Sequence, residues 1–463
     1  MHTRFQLILL AMTLSFASPE AKVLSLNDAY NLALKNNASL QEARYTWLAN
    51  QHDQSIARSF LLPQVNSTNA YHRNKTVYEG NDEGNKTTRF YDQTELSISL
   101  SQELFNMSSY YQYSRASQKT MQDLLIYQRA LQDIALTVAK QYFDLILEID
   151  NHQFLLTEEK ETLQRLKDVE NQLKLGALTK SQLLEVKAQA QRVRADIIES
   201  LQAVHNRKDQ LADSIGNGNF DKVLGLSDRA KTLHLHIPKQ QHWIEDAENH
   251  NLTLKIAKNN ITQAQYLQQA AWSKNIPTIT FDTSFTQYDY SSQSIETEGS
   301  TSAQSWLKRR GYDSYEGSVT LQVPILDGGR RYYDNRKATE NIAVAQAASK
   351  NTHQQIIRQL KKLYRALRLG TKLIATKRAA LNSSTEMSRI ADVSLSAGSI
   401  TVLESLANTA NVRKDQQNLA RAQYDYIYSL IEMLILSGII TPKDIRDINQ
   451  DLGQEINIPS LID

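Results

Sequence analysis

Residues 24 to 212 recur, loosely but in register, as residues 238 to 434, so any fold for this chain must use one unit twice. Asn37-Ala-Ser-Leu40 returns as Asn251-Leu-Thr-Leu254, and Leu62-Pro63 as Ile276-Pro277, both 214 residues on. Leu100-Ser-Gln-Glu-Leu-Phe105 matches Leu321-Gln-Val-Pro-Ile-Leu326 at a spacing of 221, and Leu175-Gly-Ala-Leu-Thr179 matches Ala397-Gly-Ser-Ile-Thr401 at 222. A unit of roughly 200 residues is too long for a solenoid repeat, and two copies are too few to stack as one. The duplication therefore serves a larger symmetry.

All seven prolines lie outside two tracts, 107 to 212 and 330 to 437. Proline costs about 3 kcal/mol inside a helix, so its exclusion leaves both tracts free to be helical. In the first tract, positions 124, 131, 138, 145, 152, 159, 166 and 173 read Leu, Leu, Val, Leu, His, Glu, Leu, Leu. Positions 121, 128, 135, 142, 149, 156, 163 and 170 read Met, Gln, Ala, Tyr, Ile, Leu, Leu, Glu. Such a sustained seven-residue seam predicts a helix packed lengthwise against others in a left-handed supercoil. The second copy keeps the seam with Leu360, Leu367, Ile374, Leu381 and Leu395. One helix from 107 to 175 would be ~100 Å long at 1.5 Å per residue. Gly176 and Gly398 then suit the left-handed residue that ends a helix, and Thr179 and Thr401 suit N-caps for a return helix. Each repeat is expected to carry a long helical hairpin, with tips at 175 to 179 and 397 to 401.

Before each hairpin the period changes to two. Leu96, Ile98 and Leu100 alternate with Ser97, Ser99 and Ser101, and Val319, Leu321 and Val323 with Ser318, Thr320 and Gln322. Ile279, Phe281 and Phe285 alternate with threonines, serines and Asp282, while Val65 to Tyr71 is a weaker strand. Polar stretches near 76 to 90 and 291 to 312 read as loops. Four strands per chain follow, each with an apolar and a polar side. Four such strands cannot close a barrel and would leave unpaired edges in lipid, whereas three chains would supply twelve. In a closed barrel the apolar side faces out and the lumen is wet, with Phe90, Tyr91, Phe105, Tyr288, Tyr290, Tyr312 and Tyr315 placed for interfacial aromatic girdles.

The N-terminus indicates export. Arg4 precedes the apolar run Leu7 to Phe16, followed by Ala17, Ser18 and Ala21, the layout of a signal peptide cleaved after Ala17 or Ala21. Cysteine is absent, which excludes disulfides, thiolate metal sites and a lipid-bearing cysteine at the mature N-terminus. With 52 basic and 50 acidic residues, the chain has no general attraction to nucleic acid.

These features together resemble the TolC family of outer membrane efflux proteins over nearly the whole mature length. The resemblance is carried by Asp28-Ala29 with Ala33-Leu34 and Asn37, by Leu62-Pro63-Gln64 leading to Tyr71, by Pro324-Ile-Leu-Asp-Gly-Gly-Arg330, and by both glycine-centred tips. It implies a mainly α chain with membrane β, forming one third of a homotrimeric tunnel: a 12-stranded outer membrane β-barrel continuous with a 12-helix periplasmic coiled-coil barrel. The expected organisation is a signal peptide at 1–21, then a first repeat at 22–237 with a helix, a strand pair at 64–105, a hairpin at 107–212 and an equatorial linker. A second repeat follows at 238–441 with strand pair 277–326 and hairpin 330–437, then a C-terminal equatorial segment at 442–463. Residues 213 to 250 and 438 to 463, interrupted by Gly216, Gly218, Gly225, Pro238, Pro442 and Pro459, make the equatorial part.

The implied function is passive conduction of drugs, small toxic compounds or unfolded polypeptides, as the exit duct of a tripartite efflux or type I secretion system. The implied partners are two further copies of the chain, a periplasmic adaptor protein, an inner membrane transporter and outer membrane lipid. Adaptor contact is expected at Gly176, Ala177, Leu178 and Thr179, and at Gly398, Ser399, Ile400 and Thr401. Glu404 matches the family's pore-facing carboxylate, while position 407, which often holds a second one, is Ala. Gln182 stands where Asp is common and Ile400 where a basic partner is common, so closure is assigned to packing and to polar groups such as Ser181 and Gln182.

No enzyme motif is present: there is no phosphate loop, nucleophile elbow or HExxH pattern, and no cofactor is implied. His234, His236 and His242 lack the acidic or thiol partners of a metal site, and the glycosylation-like triplets at Asn66 and Asn85 carry no meaning for a bacterial exporter. Two rival classes share some features. A secreted structural or adhesive coiled coil has no use for strand pairs joined to both hairpins, and a periplasmic adaptor carries a single hairpin flanked by small β domains.

Overall fold

Ser25 starts the described fold: its hydroxyl accepts from the Asp28 amide at 3.1 Å and caps the first helix, which the two-residue strand β1 (Val23–Leu24) precedes. The computed structural model describes residues 23–79, 86–176, 178–216, 220–226, 237–297, 311–450 and 452–460. The expected signal segment and Ala177 lie outside these. In order follow α1 (Leu26–Asn36), α2 (Ala38–Asn50), α3 (His52–Ser59), β2 (Gln64–Glu79), β3 (Lys86–Phe105), α4 (Met107–Lys174) and α5 (Lys180–Ile215). The second half continues with β4 (Lys222–Leu226), α6 (Gln240–His250), α7 (Leu252–Ser273), β5 (Thr278–Thr297), β6 (Tyr312–Gln322), α8 (Arg330–Ser396), α9 (Val402–Ser437), α10 (Pro442–Gln450) and β7 (Leu452–Asn457). The chain is mainly helical, and among the described residues no helix is long and apolar enough to cross a membrane.

Contacts divide the chain into two compact units, each drawing on both repeats. One gathers the described residues of Met1–Ala43, Gln128–Leu252 and Gln354–Asp463, the other Arg44–Tyr127 and Thr253–His353.

The second unit contains a four-stranded antiparallel sheet in the order β2-β3-β5-β6. Helix stops just before each strand pair: after α3 the amide of Leu62 donates to Ser59, and after α7 that of Ile276 donates to Ser273, so Pro63 and Pro277 follow closed turns. The strands run further than the expected loops. β2 pairs with β3 out to Glu79↔Lys86, and β3 with β5 out to Thr87↔Thr297, because ladder hydrogen bonds come from the backbone and persist through polar sequence. At the strand exits the helices are capped by repeat-equivalent residues. Asn106 Oδ1 accepts from the Ser109 amide at 3.2 Å, and Asp327 Oδ2 accepts from the Arg331 amide at 3.2 Å.

The first unit holds a small sheet in the order β1-β4-β7, with β1 parallel and β7 antiparallel to β4. The equatorial segments expected at 213 to 250 and 438 to 463 supply β4 and β7, but β1 comes from the N-terminus, a strand too short for any period to reveal. Tyr142, a seam position of α4, is fully buried; its hydroxyl accepts from the Leu224 amide at 3.0 Å, and its single proton lies between the carbonyls of Leu224 (2.9 Å) and Leu24 (3.0 Å). Burial pushes this phenol's pKa up.

The α4 seam holds through Val138, Tyr142, Leu145 and Ile149, all fully buried, and then shifts. Leu155, Thr162 and Val169 are buried, whereas the predicted Leu156 and Leu163 are exposed. Buried positions fall three apart twice in succession, at Ile149, His152 and Leu155, so the 4–3 spacing gains an extra step of three and the stripe that meets the partner helices moves back by one residue. On α8, Leu360 and Leu367 are fully buried and Leu395 packs at the tips.

The repeated asparagines close the return helices. Asn37 Nδ2 donates to the Ser214 carbonyl at 2.9 Å, and Asn251 Nδ2 to the Leu436 carbonyl at 2.7 Å. Both carbonyls belong to last turns, which have no partners inside their own helices. Gly216 and Gly438, at φ 79° and 76°, follow in the left-handed conformation and lie against Asn36 and His250, where a Cβ would collide.

Candidate channel wall and hairpin tips

Because side chains alternate across a strand, the pairing register fixes which residues share a face. Val65, Leu100, Thr283 and Gly317 form one row, and Ser67, Ile98, Phe285 and Tyr315 the next. Ile279, Phe281, Val319 and Leu321 fall on this same apolar face, where the Phe285 and Tyr315 rings meet at 4.9 Å. The opposite face reads, row by row, Gln64-Ser101-Asp282-Ser318, Asn66-Ser99-Ser284-Glu316, Thr68-Ser97-Thr286-Ser314 and Ala70-Glu95-Tyr288-Tyr312. Hydroxyls bond across it, with Ser97 Oγ 3.0 Å from Thr286 Oγ1. The sheet is thus two-sided, greasy on one face and wettable on the other.

The register also corrects the aromatic assignment. Phe90, Phe105 and Tyr315 lie on the apolar face as a girdle requires, but Tyr91, Tyr288, Tyr290 and Tyr312 lie on the polar face. Unbroken alternation sets all four out of step with Leu96, Phe285 and Val319, and the extra residue of β5 between the partners of Asp92 and Gln93 changes the parity of β5 only beyond Tyr290.

At the tips, Gly176 and Gly398 adopt φ 76° and 74° with open space around them. Both return helices open with a capping box. Thr179 Oγ1 accepts from the Gln182 amide while Gln182 Oε1 accepts from the Thr179 amide, and Thr401 and Glu404 make the same reciprocal pair at 3.2 and 2.8 Å. Gln182 and Glu404, 222 residues apart, therefore hold equivalent positions. Glu404 is exposed, as are Ser181, Thr179, Thr401, Gly176, Gly398 and Ser399, while Leu178 and Ile400 are half-buried. Ser399 folds back, its amide and hydroxyl both donating to the Ser394 carbonyl at 2.9 and 2.8 Å. Beneath the turns Val169, Val186, Val402 and Leu406 form a buried cluster with Leu178 and Leu395 against it.

Charged contacts join the two hairpins above the turns, and the sequence reading missed them. Arg165 of α4 pairs with Asp392 of α8, whose Oδ1 also accepts from Ser405 Oγ of α9 at 3.1 Å. Arg413 of α9 pairs with the buried Glu158 of α4. Burial pushes the Glu158 carboxyl up and Arg413 only partly offsets this; burial and then the nearby Asp392 push Glu161 up. Partners separated by more than 200 residues on different helices leave no local pattern to read. Among the described residues no cluster of His, Cys, Asp or Glu could hold a metal ion; His234 and His236 fall outside them, and His242 lies 3.9 Å from Asp246 on its own helix.

Comparison with known proteins agrees with this geometry. The family model described as outer membrane efflux protein matches residues 29–217 and 243–438. The chain is 23% identical to the outer membrane protein TolC of Vibrio cholerae, covering 92% of this chain and 94% of that one. It is 22% identical to the proteases secretion protein PrtF of Dickeya chrysanthemi, covering 96% and 95%. Its fold is similar to the CmeC outer membrane channel of Campylobacter jejuni, with a TM-score of 0.74 at 16% identity over 92% of this chain and 90% of that one. It is similar also to VceC of Vibrio cholerae, with a TM-score of 0.71 at 16% identity over 89% and 96%.

Proposed function

The chain belongs to the outer membrane efflux protein family and serves as an exit duct of the outer membrane, and from that premise we propose how three copies build the duct. The observation that carries the proposal is the two-faced sheet whose outer strands β2 and β6 have no further neighbour among the described residues. Open edges in lipid leave backbone groups unsatisfied, and pairing β6 of one copy with β2 of the next removes them, closing twelve strands around a polar lumen. The same copies bring twelve helices together. Leu156 and Leu163 on α4, and Leu369, Leu373, Ile390 and Val393 on α8, are exposed apolar residues that supply a second seam for helices packed on two sides.

In this arrangement the tip residues 176–179 and 398–401 meet a periplasmic adaptor, which links the duct to an inner membrane transporter. Cargo is small toxic compounds or, as the name of the Dickeya relative suggests, secreted polypeptides. Glu404, Gln182 and Ser181 line the aperture, and three Glu404 carboxylates there make a ring that attracts cations. Glu404 does so while its Oε2 holds the Thr401 amide, which fixes the direction of the side chain.

Reconstitution in planar bilayers, with heat-sensitive electrophoresis of the same detergent-purified protein, tests the proposal. Stable currents from a species three times the mass of the chain are expected, with block by multivalent cations from the tip side weakened by Glu404→Ala. A single-copy species without current contradicts the duct, and unchanged block in Glu404→Ala removes Glu404 from the aperture.

A further inference from the structure

Where the polar face of the sheet lines the lumen, as proposed above, its upper rows carry features that conduction alone does not need. Glu95, Tyr288 and Tyr312 are direct neighbours on β3, β5 and β6, and the two tyrosine rings lie 4.8 Å apart at 34°. One row further, His72 faces Gln93 and Tyr290, and its Nε2 sits 3.7 Å from Glu95 Oε2. Tyr290 in turn lies 6.1 Å from Tyr91 on the same face. On β2 the row ends in Ala70, whose small side chain neighbours Glu95. From the row of Gln64 to the row of His72 the described residues of the face carry the carboxylates of Asp282, Glu316 and Glu95, and among them there is no Lys or Arg.

Aromatic rings in a channel wall usually mark the lipid boundary, but these four point the other way, by strand parity. A phenol ring presents a negative π face, and a neighbouring carboxylate adds a full negative charge, so the pair favours a cation that also brings apolar surface. An anion gains nothing at these rows, and a small hydrated cation uses the carboxylate without the rings. We propose that Tyr288, Tyr312 and Glu95 form a lumenal binding site for organic cations that carry an aromatic ring, repeated in each copy around the duct. Such a site gives departing cargo of that class a resting position in the barrel.

The test uses full-length protein in planar bilayers, with benzyltrimethylammonium and tetramethylammonium as probes added to the barrel side. Benzyltrimethylammonium is expected to block at lower concentration than tetramethylammonium. Tyr288→Leu and Tyr312→Leu should each raise its blocking concentration about threefold, the order expected for one exposed cation–π contact. Tyr288→Phe, which keeps the ring, should retain the block, and Glu95→Gln should weaken block by both probes. Equal block by the two probes, or block unmoved by both leucine variants, overturns the site. Block abolished by Glu404→Gln but not by Tyr288→Leu places binding at the tips and also overturns it. A wild-type protein that carries no current overturns the duct itself, which separates failure of that reading from failure of this one.

Discussion

The Asn251 amide donates to the Leu436 carbonyl and that of Asn37 to Ser214, so each repeat uses one side chain to finish a helix that returns from about 200 residues away. Removing the donor leaves a last-turn carbonyl short of a partner, and Asn251→Ala and Asn37→Ala should each lower stability by about 1–3 kcal/mol in thermal unfolding. Asn251→Asp should not rescue the loss, because a carboxylate cannot donate to a carbonyl; full rescue by Asp would show that the amide contact does not matter. His152 sets a pH limit. The Ser200 hydroxyl donates to the Ile197 carbonyl at 2.7 Å, so its oxygen is left to accept from His152 Nδ1–H at 2.8 Å. Burial holds the His152 pKa below its ordinary 6.5. The folded state therefore takes up its proton later than the unfolded chain, and stability present above about pH 6.5 is lost as pH falls below it. The unfolding temperature of wild type should drop between pH 7 and pH 5 more steeply than that of His152→Asn, and parallel curves would contradict this. The asparagines were legible as repeated letters, but their partners were not, since the contacts span 177 and 185 residues.

Among elements, those with a sustained period were readable and those without were not. Alternation in Leu96 to Leu100 and in Ile279 to Phe285 gave the strands, and proline-free heptads gave helices of 68 and 67 residues. The ends of β2, β3 and β5 were missed because ladder pairing carries on through polar residues, and β1, β4 and β7 because two to six residues are too few for a pattern. The drift of the α4 stripe past Ile149 was hidden because Leu occupies both 155 and 156, and only packing chooses between them. At the tips, Thr179 and Thr401 were readable as caps, and the structure adds that Gln182 and Glu404 complete the boxes. Thr401→Ala should cost about 1 kcal/mol locally and speed hydrogen exchange in the first turn of α9, leaving α5 unchanged. Unaltered exchange there would show that the Thr401–Glu404 pair does not hold the turn.

At the scale of the whole molecule, duplication gives two hairpins and two strand pairs per chain, and membership of the outer membrane efflux family turns those parts into an exit duct. The proposed arrangement of three copies around one axis would account for the open edges of β2 and β6 and for the exposed leucines of α4 and α8 together. The absence of cysteine from the sequence makes the lumen directly testable. Single cysteines at Ser97, Ile98, Ser99 and Leu100, treated with a charged, membrane-impermeant thiol reagent during bilayer recording, read the wall residue by residue. Currents should fall in steps for Ser97→Cys and Ser99→Cys and stay constant for Ile98→Cys and Leu100→Cys. Equal reaction at all four positions, or reaction confined to 98 and 100, would contradict a barrel whose polar face encloses the path.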